Sequence, residues 1–431
     1  MERWHSKEGH RMGIYFNPNH TDFYNAVNHS QIYVDKTELI QYTNSVLFGE
    51  QKYICVSRPR RFRKSMAANM LTAYYSRGCD SRELFQGLKI ATHPDFEKHL
   101  NQYNVIHLNM QSFLSKTQTI EQMIALVTKA VGRDLLRTYP DIDYLDKSIL
   151  TFMLDDVYQN YQVPFIFIID EWDCIFRSRK NQLEEQTKYL DFLRDLLKDK
   201  GYIALAYMTG ILPIKKYGEH SAINVFYEYS MTDASPIEEF TGFTEQEVRQ
   251  LCEQYKMPFS ETKKWYDGYC VDGVSIYNPK SVVEAMLRGK FNNYWTKTET
   301  YEALKVYIDL NQDGLRDKII QMIAGEKVPV NPDKFQNDMT TFYSADDVLT
   351  LLVHLGYLTY DEQNRVVWIP NGEVRQEFIN SIEDGGWEPV VQAIHSSEKL
   401  LQATLSCDEQ TVAALNRTST SSKCIHLEIQ R

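Results

Sequence analysis

The first half of the chain alternates between short apolar segments and longer segments with helical periodicity. The apolar segments are YICVS (residues 53–57), VIHLN (105–109), FIFIID (165–170) and YIALAYMTG (202–210). Runs of this kind, without polar alternation, are typical of strands buried on both faces. The intervening segments, such as 119–136 and 184–200, have the spacing of amphipathic helices. The alternation predicts an α/β fold, in which helices cover a parallel sheet and ligands bind beyond the carboxyl ends of the strands.

Helical patterns predominate after about residue 235. Thr244 and Glu247 have the spacing of a capping box, and Asn278 with Pro279 predicts a helix start. The segment SADDVLTLLVHLGYLTYDEQNRVVWIP (344–370) predicts a helix followed by a short hairpin. We therefore predict a larger α/β domain over 13–235 and a smaller, mainly helical domain over 236–392, for which a winged-helix-like arrangement is one form. Residues 1–12 are interpreted as an extension, and 393–431 as a tail that is truncated or disordered.

The segment SRPRRFRKS (57–65) has the spacing of a phosphate-binding loop. A nucleoside triphosphate needs main-chain N–H groups around its phosphates, a lysine at the outer phosphates and a hydroxyl group on the magnesium ion. Lys64 and Ser65 supply the last two, at the predicted start of a helix whose positive dipole end favours an anion. The predicted nucleotide-binding residues are Ser57, Arg58, Pro59, Arg60, Arg61, Phe62, Arg63, Lys64 and Ser65.

Arg63 stands where the pattern G-x-x-x-x-G-K-[ST] has its second glycine, and Ser57 where it has its first. If the position of Arg63 requires a positive φ, a non-glycine residue costs about 1–2 kcal/mol. Alternatively, the arginine side chain turns away and leaves the loop intact. Two other interpretations of the basic loop stay open, namely a solvated turn and a grip on nucleic-acid phosphates.

The segment FIFIIDEWD places two acidic residues at the end of a predicted strand. In this arrangement Asp170 binds magnesium and Glu171 faces the attacking water. Thr209, at the end of the next predicted strand, is positioned to contact the outer phosphate. The alternatives are a strand that ends at a polar edge and a threonine that caps a turn. The conjunction with Lys64 and Ser65 predicts a site for ATP and Mg²⁺, with Ser65 and Asp170 as metal ligands and Asp170, Glu171 and Thr209 as catalytic residues.

Composition limits the partners and the compartment. The chain has 431 residues and a formal net charge of −11, which argues against a surface that binds nucleic acid throughout but leaves a local basic groove open. The seven cysteines have no metal-ligand spacing, so we expect reduced thiols. There is no apolar run of ~18 residues and no apolar core typical of a signal peptide near Met1. We therefore predict a cytoplasmic protein with no membrane segment.

Seven motifs, taken in order, resemble the bacterial AAA-ATPase-like family, which is usually coupled to a C-terminal PD-(D/E)XK nuclease domain. They are IYVDKTELI, SRPRRFRKSMAANMLTAYY, FIIDEWDCIFR, AYMTGILPIKKYG, FTGFTEQEV, WYDGY and HLGYL. The resemblance runs from about Gly13 to about residue 410. It implies ATP and magnesium at Lys64, Ser65, Asp170 and Glu171, and assembly into homo-oligomers. Because the family typically reads RPRRFGKS, Arg63 is a departure from its pattern.

The resemblance leaves two functional classes. One is a P-loop ATPase that uses ATP to drive a conformational change of an associated effector. The other is a non-catalytic scaffold or regulatory module in which Arg63 has removed turnover and the nuclease is lost. The E-x-K match at Glu261 to Lys263 lies in a helical context, so we interpret it as coincidence. We expect WYDGY (265–269) to form a packed turn around Gly268, and His354 to lie in a helical core.

Overall fold

Five parallel strands form the central sheet, in the spatial order β2-β3-β4-β1-β5. The computed structural model describes residues 13–214, 223–295, 304, 307–308, 313–335, 342–383, 396, 399–400 and 403–414. The strands are β1 (Tyr53–Ser57), β2 (Asn104–Asn109), β3 (Phe165–Asp170), β4 (Ile203–Gly210) and β5 (Tyr227–Tyr229). The first four match the predicted strands to within one residue at each end. The short β5 was not predicted, because it is only partly buried and has no apolar run.

Helices cover both faces of this sheet, which confirms the predicted α/β fold of P-loop NTPase type. Along β3, Phe165, Phe167 and Ile169 pack into one core, whereas Ile166 and Ile168 pack into the other. The helices of this part are α1 (Thr21–His29), α2 (Leu39–Val46), α3 (Lys64–Tyr75), α4 (Arg82–Phe85), α5 (Phe96–His99), α6 (Met110–Leu114), α7 (Ile120–Thr138), α8 (Leu150–Tyr161), α9 (Cys174–Ser178) and α10 (Leu183–Leu197).

The second half combines helices with two small antiparallel sheets. Its helices are α11 (Glu245–Tyr255), α12 (Phe259–Tyr266), α13 (Pro279–Arg288), α14 (Leu315–Ile323), α15 (Ala345–Leu355) and α16 (Gly372–Glu383). One sheet has the order β6-β8-β7 and the other β10-β11-β9. The strands are β6 (Phe243–Thr244), β7 (Tyr269–Val271), β8 (Val274–Tyr277), β9 (Val328–Pro329), β10 (Thr359–Asp361) and β11 (Val366–Trp368).

Several local predictions for the second half are confirmed. Thr244 and Glu247 form a capping box on α11, and the side chain of Asn278 caps α13. The predicted helix and hairpin are α15 followed by β10 and β11. His354 is buried in α15, and Gly268 takes a φ of 107° in the packed WYDGY turn. The short strands β6 to β9 were not predicted, because two to four residues carry too little periodicity.

The register of the central sheet brings polar residues to one edge. Asp170, at the end of β3, pairs with Thr209 on β4 and with Asn109 on β2. Ser57, at the end of β1, pairs with Gly210 on β4. Because all these strands are parallel, their carboxyl ends and the start of α3 meet at the same edge. A ligand site assembled from the predicted residues therefore belongs at this edge.

The described residues bear on two predictions from composition. All the cysteines among them are free: Cys55, Cys79, Cys174, Cys252, Cys270 and Cys407. No helix in the described part of the chain combines the length and the apolar character that crossing a bilayer requires. Residues 1–12 and most of the predicted tail lie outside the described residues.

Candidate nucleotide site

The carboxylate of Asp170 is the centre of the site. Its side chain is buried, with Oδ2 accepting a hydrogen bond from Ser65 Oγ at 2.6 Å and from Asn109 Nδ2 at 3.4 Å. Its Oδ1 accepts from the hydroxyl of Thr209 and from the backbone N–H of Glu171. The structure thus brings together four predicted residues, Ser65, Asp170, Glu171 and Thr209.

Lys64 lies buried under the phosphate-loop segment. Its Nζ donates hydrogen bonds to the carbonyl oxygens of Arg58, at 2.8 Å, and Pro59, at 2.9 Å. Burial lowers the pKa of Lys64, while the nearby charges of Glu171, Asp173 and Asp170 act in the opposite direction. The lysine is therefore bonded to its own loop through two of the three N–H groups of its ammonium.

The backbone of the loop has the geometry of an anion cradle. Arg61 and Arg63 both adopt left-handed conformations, with φ of 72° and 62°. Left-handed residues within a turn direct successive N–H groups to one side, which is how main-chain nests bind anions. Among the described residues, the N–H groups of Phe62, Lys64 and Ser65 find no acceptor, as expected at a helix start. Donors of this kind at a helix start are available to an anion.

The Arg63 side chain turns away from the cradle. Its guanidinium carbon lies 4.7 Å from the ring centroid of Phe243, in a cation–π contact. Burial lowers the pKa of Arg63 to about 10, and the nearby Tyr33 and Glu247 act in the opposite direction. Both sequence-based alternatives therefore apply, since the position has a positive φ and the arginine nevertheless leaves the cradle open. The left-handed conformation costs about 1–2 kcal/mol, and the contact with Phe243 offsets part of it.

Pro59 and Phe62 anchor the loop to the second half of the chain. An added Cβ on Gly356 would lie 2.7 Å from Pro59 Cβ, so the two residues are in close contact. The ring of Phe62 packs edge-on against Tyr269, with centroids 5.2 Å apart, and Tyr269 donates a hydrogen bond to the Gly356 carbonyl at 2.8 Å. We call Phe243, Tyr269 and Gly356 the loop mount. All three come from the motifs FTGFTEQEV, WYDGY and HLGYL.

Other loop side chains have structural contacts. The Arg58 guanidinium is buried and donates to the carbonyl oxygens of Tyr229, at 2.9 Å, and Ser230, at 2.6 Å. Burial lowers its pKa to about 10. Ser57 Oγ donates to the Leu212 carbonyl at 3.0 Å. Arg58 and Ser57 thus fasten the ends of β5 and β4 to β1, while Arg60 and Arg61 are exposed.

Three residues of the site were missed by sequence reasoning. Asn109 ends an apolar run, as Asp170 does, so the same strand-end signal could have identified it. Asp173 is fully buried and accepts hydrogen bonds from the N–H groups of Ile211, at 3.0 Å, and Leu212, at 2.9 Å. Arg177 on α9 pairs with Glu171. For Asp173 and Arg177 no signal was available, because acidic and basic residues in and beside short helices are common.

The donor set at Asp170 fits a magnesium ion. Ser65 Oγ and Asp170 Oδ2 are hard oxygen donors in contact, and Mg²⁺ prefers such ligands. Among the described residues there is no group of three or more His, Cys, Asp or Glu side chains suited to a metal. Magnesium typically takes only one or two protein ligands and completes its shell with water and phosphate oxygens. The arrangement therefore suits an ion that arrives with a nucleotide.

Residues 19–218 match a family model described as AAA-ATPase-like, a predicted AAA-ATPase. This match confirms the family resemblance over these residues, whereas the motifs FTGFTEQEV, WYDGY and HLGYL lie outside the matched range. The matched AAA-ATPase-like segment contains the phosphate loop, Asp170, Glu171 and Thr209. An uncharacterized protein from the vnfD 5′ region of Azotobacter chroococcum mcd 1 is 23% identical over 354 residues, which cover 80% of this chain. The chain spans 63% of the length of that relative.

Two solved structures are also similar to this chain. The Walker-type ATPase PABY2304 of Pyrococcus abyssi aligns with a TM-score of 0.40 and 13% identity, covering 80% of this chain and 94% of its own. The ORC2 protein of Aeropyrum pernix, in ADPNP-ADP complexes, aligns with a TM-score of 0.35 and 12% identity, covering 83% and 97% of the two chains.

Proposed function

We propose that the protein is a P-loop ATPase that binds ATP with Mg²⁺ and hydrolyses it to change the conformation of an associated effector. The observation that carries this proposal is the hydrogen bond from Ser65 Oγ to Asp170 Oδ2, at 2.6 Å. It joins the start of α3 to the end of β3, beside the buried ammonium group of Lys64. A hydroxyl, a carboxylate and a lysine converge in this way where a nucleoside triphosphate is held with its metal.

Each site residue has a distinct task in this proposal. The loop N–H groups and Lys64 bind the phosphates, and Ser65 and Asp170 would hold Mg²⁺, which when bound neutralises charge on the phosphate oxygens. Glu171 accepts the proton of the attacking water. Thr209 fixes the orientation of the Asp170 carboxylate through its hydroxyl hydrogen bond.

A scaffold that binds nucleotide without turnover is the second candidate. The observation in its favour is the ion pair that engages Glu171 with Arg177, because a carboxylate held by arginine is less available to a water molecule. In the scaffold, bound nucleotide would set the position of the second half through the loop mount.

The first test is equilibrium binding of a fluorescent ATP analogue in the presence of Mg²⁺. We expect the unmodified protein to bind, and Lys64→Met to weaken binding at least 100-fold while preserving side-chain volume. Arg63→Gly is expected to stay within about threefold of the unmodified protein, because its guanidinium lies on Phe243 and not in the cradle. Lys52→Met is the matched control, since Lys52 also donates to a backbone carbonyl, that of Ile203, away from the loop.

The result separates the candidates. Binding that is lost in Lys64→Met, followed by phosphate release that is lost in Glu171→Gln, supports the ATPase. Binding without phosphate release supports the scaffold. If the unmodified protein does not bind and Arg63→Gly does, the loop is a degenerate nucleotide site and the proposal is wrong.

A further inference from the structure

Arg177 is shared between two carboxylates next to the nucleotide site. It lies on α9, the short helix that follows β3, and its side chain is 12% exposed. Its Nη2 contacts Glu171 Oε2, and its Nε lies 3.2 Å from Asp173 Oδ2. Because Glu171 directly follows Asp170, the guanidinium contacts the residue next to the proposed metal ligand.

The two carboxylates hold Arg177 in different ways. Asp173 is fully buried, and its Oδ2 is fixed by two N–H groups at the end of β4. Its Oδ1 has no hydrogen-bond donor among the described residues. A buried carboxylate of this kind requires a nearby cation, so Asp173 is a permanent anchor for Arg177. Glu171, by contrast, is partly exposed, with 23% of its side chain accessible.

The backbone at Glu171 also marks it as a constrained position. Its φ is 56°, in the left-handed region that non-glycine residues rarely adopt. Strained residues of this kind cluster at functional sites, where the surrounding structure holds them in place. The charge of Arg177 also reaches Lys64, whose pKa it helps to lower. Arg177 and Lys64 are thus two cations near one site that was predicted to hold phosphate.

We propose that Arg177 is a cis-acting arginine that exchanges Glu171 for the outer phosphate of ATP. This inference rests on the proposed function. A phosphate group offers a guanidinium the same type of oxygen acceptor as a carboxylate, and it carries more charge. Asp173 keeps the guanidinium at the site while Nη2 moves from Glu171 to the phosphate. The exchange releases the Glu171 carboxylate to a water molecule.

The exchange links nucleotide recognition to the chemical step. The water oxygen bonds to the outer phosphorus while the bond from phosphorus to the bridging oxygen breaks, and that electron pair leaves with ADP. The water proton passes to Glu171. Arg177 offsets the charge on the outer phosphate oxygens. Because ADP has no outer phosphate, the ion pair between Arg177 and Glu171 re-forms after phosphate leaves, and Arg177 distinguishes ATP from ADP.

The test measures the dissociation constants of a non-hydrolysable ATP analogue and of ADP, together with the rate of phosphate release. In Arg177→Gln we expect the preference for the ATP analogue over ADP to fall at least tenfold, while the Kd of ADP stays within twofold. Phosphate release is expected to fall at least 100-fold. Arg179→Gln is the matched control, because Arg179 is similarly buried, at 15% exposure, and pairs with Glu185 outside the site. It should leave all three quantities unchanged.

A second variant guards against a simple folding defect. Glu171→Gln removes the charge that competes for Arg177, so the ATP analogue should bind several-fold more tightly although phosphate release is lost. A purely structural ion pair would give no tighter binding. The inference is overturned if Arg177→Gln retains the preference for the ATP analogue, or weakens ADP and the ATP analogue equally. If the unmodified protein binds neither nucleotide, the proposed function itself is wrong.

Discussion

At the residue scale, the site depends on how a buried carboxylate is satisfied. Asp170 is taken out of water, and its charge is stabilised by hydrogen bonds from Ser65, Asn109 and Thr209. A hydrogen bond to a charged group contributes more than one between neutral groups, about 1.5–3 kcal/mol. The hydroxyl of Thr209, fully buried on β4, is the donor most shielded from water.

Replacing Thr209 with valine should therefore destabilise the protein by about 1.5–3 kcal/mol, because valine preserves the shape but leaves Asp170 Oδ1 without this donor. Urea unfolding at pH 7 measures the free energy. The matched control is Thr187→Val, since Thr187 donates to the Leu183 carbonyl on the exposed face of α10, and its loss should cost less than about 0.5 kcal/mol. Equal losses of unfolding free energy at the two positions would show that the hydrogen bond to Asp170 contributes no more to stability than an exposed one.

Single residues differ in how well their roles could be predicted from the sequence. Lys64, Ser65 and Asp170 follow from local spacing, because a strand end and a helix start fix where their side chains lie. The orientation of Arg63 could not be predicted, because the ring of Phe243 that receives its guanidinium is distant in sequence. Arg177 was missed for a different reason, since its partners Glu171 and Asp173 are close in sequence but such charged residues are common in and beside short helices.

At the element scale, the contact between the phosphate loop and the end of α15 is the most specific feature. Gly356 ends α15 with a φ of 87°, and an added Cβ would meet Pro59. Pro59 also supplies one of the carbonyl oxygens that hold Lys64. Displacing Pro59 is therefore expected to move Lys64, the proposed phosphate ligand.

We expect Gly356→Ala to lower both stability and nucleotide affinity. Gly289 is the matched comparison, because it ends α13 with a φ of 59° but an added Cβ there meets nothing within 4 Å. Both alanines carry the left-handed penalty of about 1–2 kcal/mol. Only Gly356→Ala should cost about 1–3 kcal/mol more through overpacking and weaken binding of the fluorescent ATP analogue. Thermal unfolding and the binding titration measure the two effects, and equal affinity in both variants would contradict the link.

The helices and strands differ in how well the periodicity of the sequence predicts them. Long buried strands and the capped helices α11 and α13 were predicted, because their signals are local and repeat over several residues. Of the two small antiparallel sheets, only the hairpin of β10 and β11 was predicted. The other strands are short and are held by pairing partners rather than by their own pattern. The loop mount combines residues of β6, β7 and the end of α15, which are distant from the loop in sequence, so its contacts with the loop could not be inferred from the sequence.

At the scale of the whole molecule, two buried groups make stability depend on pH in opposite directions. Burial raises the pKa of Glu373 to about 7, although Ser281 Oγ and the N–H groups of Tyr294 and Trp295 donate to it. Below the usual pKa of a glutamate, the carboxyl group of Glu373 is protonated in both the folded and the unfolded protein. Its stabilising effect is therefore present at pH 4.5 and is lost as the pH rises to 7. Burial lowers the pKa of His354 to about 3, so that residue stabilises the protein above pH 6.5 and loses its effect as the pH falls.

Glu373→Gln should separate these two contributions. Glutamine retains an acceptor for Tyr294 and Trp295 but does not titrate, so its stability relative to the unmodified protein should rise by about 3 kcal/mol between pH 4.5 and pH 7. Urea unfolding at several pH values measures the difference. Glu83→Gln, at an exposed position, serves as the control. Parallel profiles for Glu373→Gln and the unmodified protein would show that the carboxyl group is ionised throughout this range.

The contact between Pro59 and Gly356 has a consequence for biosynthesis. The two residues are about 300 positions apart in the sequence, and ribosomes add roughly 5–20 residues per second. Gly356 is therefore synthesised roughly 15–60 seconds after the phosphate loop has been translated. During that interval Pro59 lacks the residue that it contacts in the folded protein. The order of synthesis thus separates the translation of the phosphate loop from the completion of its contacts with the second half of the chain.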